Sequence, residues 1–272
     1  MSAFRLGAVP YLNGRPLVAW FDALECPDGV EVALAPPSQL AAAVRAGQFD
    51  AALASSFEML RAPGLVALPG ISISARAEVM SVRLFSKVPI AHVRTVALDA
   101  SSLSSAALTR IVLSDAYGLD PAYVTMAPDI GAMLERCDAA LLIGDLRLFE
   151  DAAPHMLDLG RAWHDLTGLP FVYAAWLARE DADRQALGRL VQSAKDWGVR
   201  HLDRIASEWS AATGLPGDRV RRYLSDIMWY DLVPEHWSAL AEFQRRCIAH
   251  GLVPEGVALN RCRALVGDGA HE

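Results

Sequence analysis

Strand-like and helix-like segments alternate along the first two thirds of this chain, and that rhythm limits its fold more than any other feature. "VEVALAPP" (30–37) reads as a strand, "SQLAAAVRAGQF" (38–49) as a helix capped by Ser38, and "DAALASS" (50–56) as a buried strand with a polar end. One or two further strands fall in "GISISARAEVMSVRLFS" (70–86). The rhythm then restarts with the strand "TVALD" (95–99) and the helix "SSLSSAALTRIVLSDAYG" (101–118), Ser-capped and stopped by Gly118. The strand "AYVTMAP" (122–128), the helix "DIGAMLERC" (129–137) and the strand "DAALLIGD" (138–145) follow. Such runs predict an α/β fold, a mostly parallel sheet with helices on its faces. From about Asp181 onward apolar residues recur at helical spacing only, so the C-terminal part is predicted to be helical.

Two strand-like stretches, "SVRLFSK" (81–87) and "FVYAAWLA" (171–178), read as crossings between lobes. If both cross, residues 1–86 and 175–272 form one discontinuous lobe and residues 87–174 form the other. Two α/β lobes joined by two strands describe the type II periplasmic-binding-protein architecture, with a ligand cleft between them. A continuous two-domain chain is the alternative.

The 272 residues suffice for one large or two modest domains, and 53% hydrophobic with 21% charged residues is an ordinary globular balance. A net charge of −7 argues against a nucleic-acid backbone or an anionic membrane as partner. Four cysteines, Cys26, Cys137, Cys247 and Cys262, show no metal-ligand spacing and are expected to be reduced and mostly buried. No basic stretch with an apolar core precedes the first strand, and no apolar run reaches membrane-spanning length, so a cytoplasmic location is expected. A homodimer is left open.

Candidate ligand residues gather at the carboxyl ends of predicted strands, where open α/β sheets present their crevice. In "GAVPYLNGRPL" (7–17), Pro10 ends the first strand and Pro16 suits the first turn of a helix continuing through Leu17 and Phe21. Tyr11, Asn13 and Arg15 lie on the connection between them. Ser55 and Ser56 follow the strand at 50–54, Ser101, Ser102, Ser104 and Ser105 open a helix, and Asp145 ends another strand. A helix N-terminus rich in hydroxyls suits a small carboxylate, with Asn13 and Arg15 facing it from the other lobe. Taken singly, these serines and Asp145 read equally as helix caps and solvated turns. Phosphate-loop, nucleophile-elbow and zinc-protease signatures are absent. Among seven histidines, His164 alone falls near a predicted crossing strand, and the tryptophans of the C-terminal helices read as core. These residues describe a cleft for a small carboxylate compound and leave open whether it binds or reacts.

"VPYLNGRPL" closely resembles the opening motif of the MqnA family, the chorismate dehydratases of the futalosine route to menaquinone. "GISISARAEVMSVRLFSK", "LDASSLSSAALTRIVL", "AALLIGD" and "DLGRAWHDLTGLPFVYAAW" resemble further family segments, over about residues 5–255. The resemblance implies the two-lobed fold and a reaction needing neither metal nor cofactor. In the implied reaction chorismate would lose water to give 3-[(1-carboxyvinyl)oxy]benzoate. It further implies that Asn13 and Ser81 are catalytic, that Ser101, Ser102, Ser104 and Ser105 form an anion pocket, and that Asp145 matches the family's Gly-Asp strand end. This chain departs from the family at Ala77 and Glu78, where many relatives carry Gly-Pro, and at Leu146 and Arg147, which bear on the pocket wall. The rival readings are a sister enzyme of the same pathway, acting on a cyclic futalosine derivative, and a non-enzymatic carboxylate sensor.

Overall fold

A computed structural model describes residues 4–23, 26, 29–145, 148–149 and 152–259. In the first lobe β1 (Phe4–Ala8) pairs in parallel with β2 (Val30–Leu34) and β3 (Ala51–Ser55). Between these strands in sequence, α1 (Pro37–Arg45) packs on β3. All five residues of β3, AALAS, are buried, as a parallel strand covered on both faces requires. A short helix, α2 (Phe57–Arg61), leads into β4 (Leu65–Ala75).

The chain then enters a second sheet of β5 (Val82–Ser86), β6 (Thr95–Asp99), β7 (Ala122–Met126), β8 (Ala139–Ile143) and β9 (His155–Asp158). Their spatial order is β7-β6-β8-β5-β9, with β6 parallel to β7 and β8, and β5 antiparallel to β8 and β9. The connecting helices are α3 (Ser104–Tyr117) and α4 (Ile130–Arg136), and α5 (Leu159–Thr167) follows β9. β10 (Phe171–Arg179) returns to the first sheet, antiparallel between β3 and β4. The helices α6 (Arg184–Arg200), α7 (Leu202–Thr213) and α8 (Gly217–Arg222) then run to β11 (Met228–Trp229), which edges β4, and α9 (Pro234–Ala249) completes the described helices. The sheets are therefore mixed, each with a parallel part and an antiparallel return. Passage between them runs through residues 76–81 and 168–170, so the two strands expected to cross between lobes lie each within one sheet, β5 in the second and β10 in the first.

The segment after Pro10 departs from expectation. It forms two 3₁₀ turns, Leu12–Leu17 and Ala19–Asp22, in place of an α-helix. Pro16 lies inside the first and has no N–H for an i−4 carbonyl. The shorter bonds Gly14 N–H to Tyr11 O (3.0 Å) and Val18 N–H to Arg15 O (3.1 Å) hold the chain instead. Ser38 is not the cap of α1, which starts at Pro37 with its φ already fixed. Likewise α3 starts at Ser104 without a side-chain cap, whereas Gly118 ends it in the left-handed region (φ 65°), as its sequence predicts. One buried core spans both lobes, with a smaller cluster around Phe85, Met133 and Leu142. Cys137 and Cys247 are buried thiols, Trp197 and Trp237 are core residues, and Cys262 lies outside the described residues.

Candidate active site between the lobes

A cavity lies between the two sheets, with residues of both lobes on its wall. The first lobe lines it with Tyr11 and Asn13 from the 3₁₀ connection, Ser55 at the end of β3 and Tyr173 on β10. The second lobe contributes Ser102, Ser104 and Ser105 from the start of α3, and Gly144 just after β8. Val9, Ile73, Val82 and Ile143 supply apolar wall. None of the lining residues carries an ionisable acid, an imidazole or an amine, so the cavity is built from hydroxyls, one amide and the amide-rich end of a helix.

Three of these polar groups are buried without a hydrogen-bond partner: Asn13 Oδ1, Ser102 Oγ and the Tyr173 hydroxyl. An unsatisfied buried polar group costs about 1–3 kcal/mol, and here three residues that line one cavity each carry one. Burial holds the Tyr173 phenol well above its ordinary pKa, with Asp158 and Tyr223 adding to the effect, so it meets a ligand as a neutral donor.

The lobes are latched to each other around this space. The Leu12 N–H donates to both Asp145 carboxylate oxygens, at 2.9 and 3.2 Å. The Ser104 N–H donates to Ser55 Oγ (3.1 Å), and Ser104 Oγ donates to the Tyr173 carbonyl (3.1 Å). Gly144 is left-handed (φ 72°), and a Cβ there would lie 2.6 Å from the Tyr11 ring, so a glycine lets that ring close over the second lobe. Away from the cavity, Asp115 of α3 meets Arg246 of α9 and His250 just after it, the latter at 2.7 Å. Burial raises the Asp145 pKa to about 6, an effect the Leu12 amide only partly offsets.

The fold recurs in solved structures. An Archaeoglobus fulgidus protein superimposes with TM-score 0.74 at 17% identity, covering 92% of this chain and 98% of that one. The periplasmic aliphatic sulphonate binding protein of Escherichia coli gives 0.64 at 18%, covering 95% and 91%. These likenesses establish the periplasmic-binding-protein fold, which the two mixed sheets display. A family model described as menaquinone biosynthesis matches residues 4–249. The chain belongs to the menaquinone biosynthesis family. A chorismate dehydratase of Thermus thermophilus is 30% identical over 250 residues, 85% of this chain and 90% of that protein. A second, from Campylobacter jejuni, is 24% identical over 254 residues, 90% and 98% of the two.

In this menaquinone-biosynthesis family member Tyr11, Asn13, Ser55, Ser102, Ser104 and Ser105 come together on the cavity wall. Ser101 lies behind it, its Oγ and N–H donating to Asp99 at 2.6 and 2.8 Å, and its side chain reaching Tyr11. Asp145 likewise stands behind the wall, its carboxylate spent on Leu12. Ser81 and Arg83 line a smaller neighbouring space that shares Ile143 and Gly144 with the main cavity. Arg15 and Ser56 are not brought to the cavity. Arg15 pairs with the exposed Asp22 (3.2 Å), and Ser56 Oγ donates to the Val172 carbonyl (2.6 Å), tying β3 to β10. His164 sits on α5 away from the lining, and Arg147 lies outside the described residues.

Sequence reasoning missed two tyrosines. Tyr173 stands in the apolar run "FVYAAWLA", which marks a buried strand and does not mark a site. Tyr223 lies far along the chain, but its hydroxyl donates to Ser81 Oγ at 2.7 Å. Among the described residues, no group of three His, Cys, Asp or Glu side chains could hold a metal ion, and no helix is long and apolar enough to cross a membrane.

Proposed function

We propose that the protein is a chorismate dehydratase, converting chorismate to 3-[(1-carboxyvinyl)oxy]benzoate and water as the entry to menaquinone by the futalosine route. The observation that carries the reading is one neutral cavity lined by Asn13, Ser102 and Tyr173, each of which has a buried polar atom without a partner. Membership of the menaquinone biosynthesis family and the two chorismate dehydratase relatives support it. Chorismate brings two carboxylates and one ring hydroxyl, which need donors for the first and an acceptor for the second. Hydroxyls and the first-turn N–H groups of α3 supply donors, and Asn13 Oδ1 supplies an acceptor.

The chemistry fits a wall without a base. The ring carboxylate activates the C3 proton through the conjugated double bond. Removing that proton places charge on the ring carboxylate, the C4 hydroxide departs, and the ring becomes aromatic. The proton and the hydroxide leave together as one water. In our reading the substrate's own enolpyruvyl carboxylate receives the C3 proton and passes it to the departing C4 hydroxide, since the lining side chains offer no group that would. The protein then acts by holding the reactive conformer and by aiming fixed dipoles at the developing carboxylate charge. A cytoplasmic location accords with a biosynthetic step on a soluble metabolite.

Purified protein incubated with chorismate and resolved by chromatography with mass detection tests this. The expected result is a new aromatic species lighter than chorismate by one water. Chorismate returned unchanged, with or without heat of binding, contradicts the dehydratase.

A further inference from the structure

We infer that Tyr223 is a positioning residue for the dehydration, fixing the hydrogen-bond directions of Asn13 and Ser81 so that an acceptor and a donor face the substrate. The inference rests on the reading of the cavity as the chorismate site. Tyr223 is fully buried and opens a five-residue π turn, Tyr223–Ile227, directly after α8. Such wide turns reset the direction of the following side chains and occur often at functional sites. The turn brings the phenol, 142 residues distant in sequence, to Ser81 Oγ at 2.7 Å.

The direction of the chain of bonds follows from proton counting. A phenol has one proton, and Tyr223 gives it to Ser81. Asn13 also reaches the Tyr223 hydroxyl, and with its Oδ1 left without a partner the group turned toward the phenol is the amide nitrogen. Asn13 is thereby held with its carbonyl oxygen on the cavity and its NH₂ on Tyr223. Ser81, having accepted from Tyr223, keeps its own proton, whose only contact is a long one to the Val79 carbonyl at 3.4 Å. Ser81 itself lines the smaller space beside Gly144.

The backbone beneath Ser81 is also fixed. Met80 is the one non-glycine residue with positive φ (62°) among the described residues. Its strained conformation is held by Asp158, which accepts from Met80 N–H (2.7 Å) and Val79 N–H (3.1 Å). Burial keeps the Tyr223 proton in place by raising its pKa far above the ordinary tyrosine value. One phenol thus sets both residues that the family resemblance marks as catalytic, without reaching the main cavity itself.

Tyr223→Phe keeps the ring and its edge-on contact with Phe149 while removing the hydroxyl. Steady-state turnover of chorismate is measured for the wild type, Tyr223→Phe, Asn13→Ala and the double variant. Tyr223→Phe is expected to lower kcat by roughly 100-fold with KM changed by less than about threefold, as misplaced catalytic groups do. The double variant is expected to lose less than the product of the two single losses, since part of the Tyr223 effect runs through Asn13. Wild-type kcat in Tyr223→Phe, or losses that multiply in the double variant, overturn the inference. A wild type without turnover fails the dehydratase reading instead. Should Tyr223→Phe not fold, Ser81→Ala replaces it: an unchanged kcat overturns the inference, since Tyr223 would then have no catalytic hydroxyl to position.

Discussion

Asn13, Ser102 and Tyr173 each leave a polar atom unsatisfied in a buried wall, which is unfavourable for folding and useful for binding. Tyr173→Phe should therefore leave the melting temperature unchanged or raise it by a few degrees, while KM for chorismate rises about tenfold, read from calorimetry and initial rates. A melting temperature lowered by more than about 5 °C would show that the hydroxyl serves the fold. Asn13→Ala should fold normally and lose at least about 100-fold in kcat, the scale of removing one fixed polar contact at the reacting centre. Undiminished turnover would take Asn13 out of the reaction. Asn13 was legible in sequence because two prolines fence it between a strand and the next turn. Tyr173 was not, because which face a strand residue takes depends on pairing, and β10 carries register shifts on both sides of Ala174 and Ala175. Arg15 was read as a ligand group from its neighbours, but its 3₁₀ turn points it at Asp22.

The 3₁₀ turn at Leu12–Leu17 is held from two sides, by Asp145 through the Leu12 amide and by α6 against Pro16. A Cβ at Gly198 would lie 1.8 Å from the Pro16 carbonyl oxygen, so Gly198→Ala should destabilise by on the order of 2 kcal/mol, measured by urea unfolding. Wild-type stability in Gly198→Ala would mean that α6 stands off the turn. Asp145 makes the latch pH-dependent. Its pKa is raised from 3.8 to about 6, so the protonated form is favoured by the fold. The contribution is complete below about pH 4 and lost as the pH rises through 6, a change on the order of 3 kcal/mol at most. Asp145→Asn should remove that slope, so the stability difference between variant and wild type should shift in the variant's favour from pH 4 to 7. A difference independent of pH would contradict the raised pKa. The alternation of apolar runs made most strands and helices readable, whereas the 3₁₀ turns follow from a missing proline N–H and from α6 pressing on them, a contact the local pattern does not contain.

At the scale of the molecule, two mixed sheets enclose a neutral cavity whose walls come from both lobes. The two-lobed plan was legible because the rhythm of strands restarts near residue 95 and ends in helices only. How the lobes meet was not, because the bonds that join them, Leu12 with Asp145, Ser55 with Ser104 and Asp115 with Arg246, link residues 49 to 133 positions apart. The pairing of Asn13 and Ser81 through Tyr223 is hidden for the same reason, since it needs the C-terminal helices folded back beneath the site. The most direct test is a crystal structure of the protein with the dehydration product, 3-[(1-carboxyvinyl)oxy]benzoate, which cannot turn over. The expected result places it between the lobes, with one carboxylate on the start of α3 near Ser102 and with Asn13 and Tyr173 within hydrogen-bond distance. Product bound elsewhere, or a cavity left empty at saturating product, would contradict the assignment of this cleft as the active site.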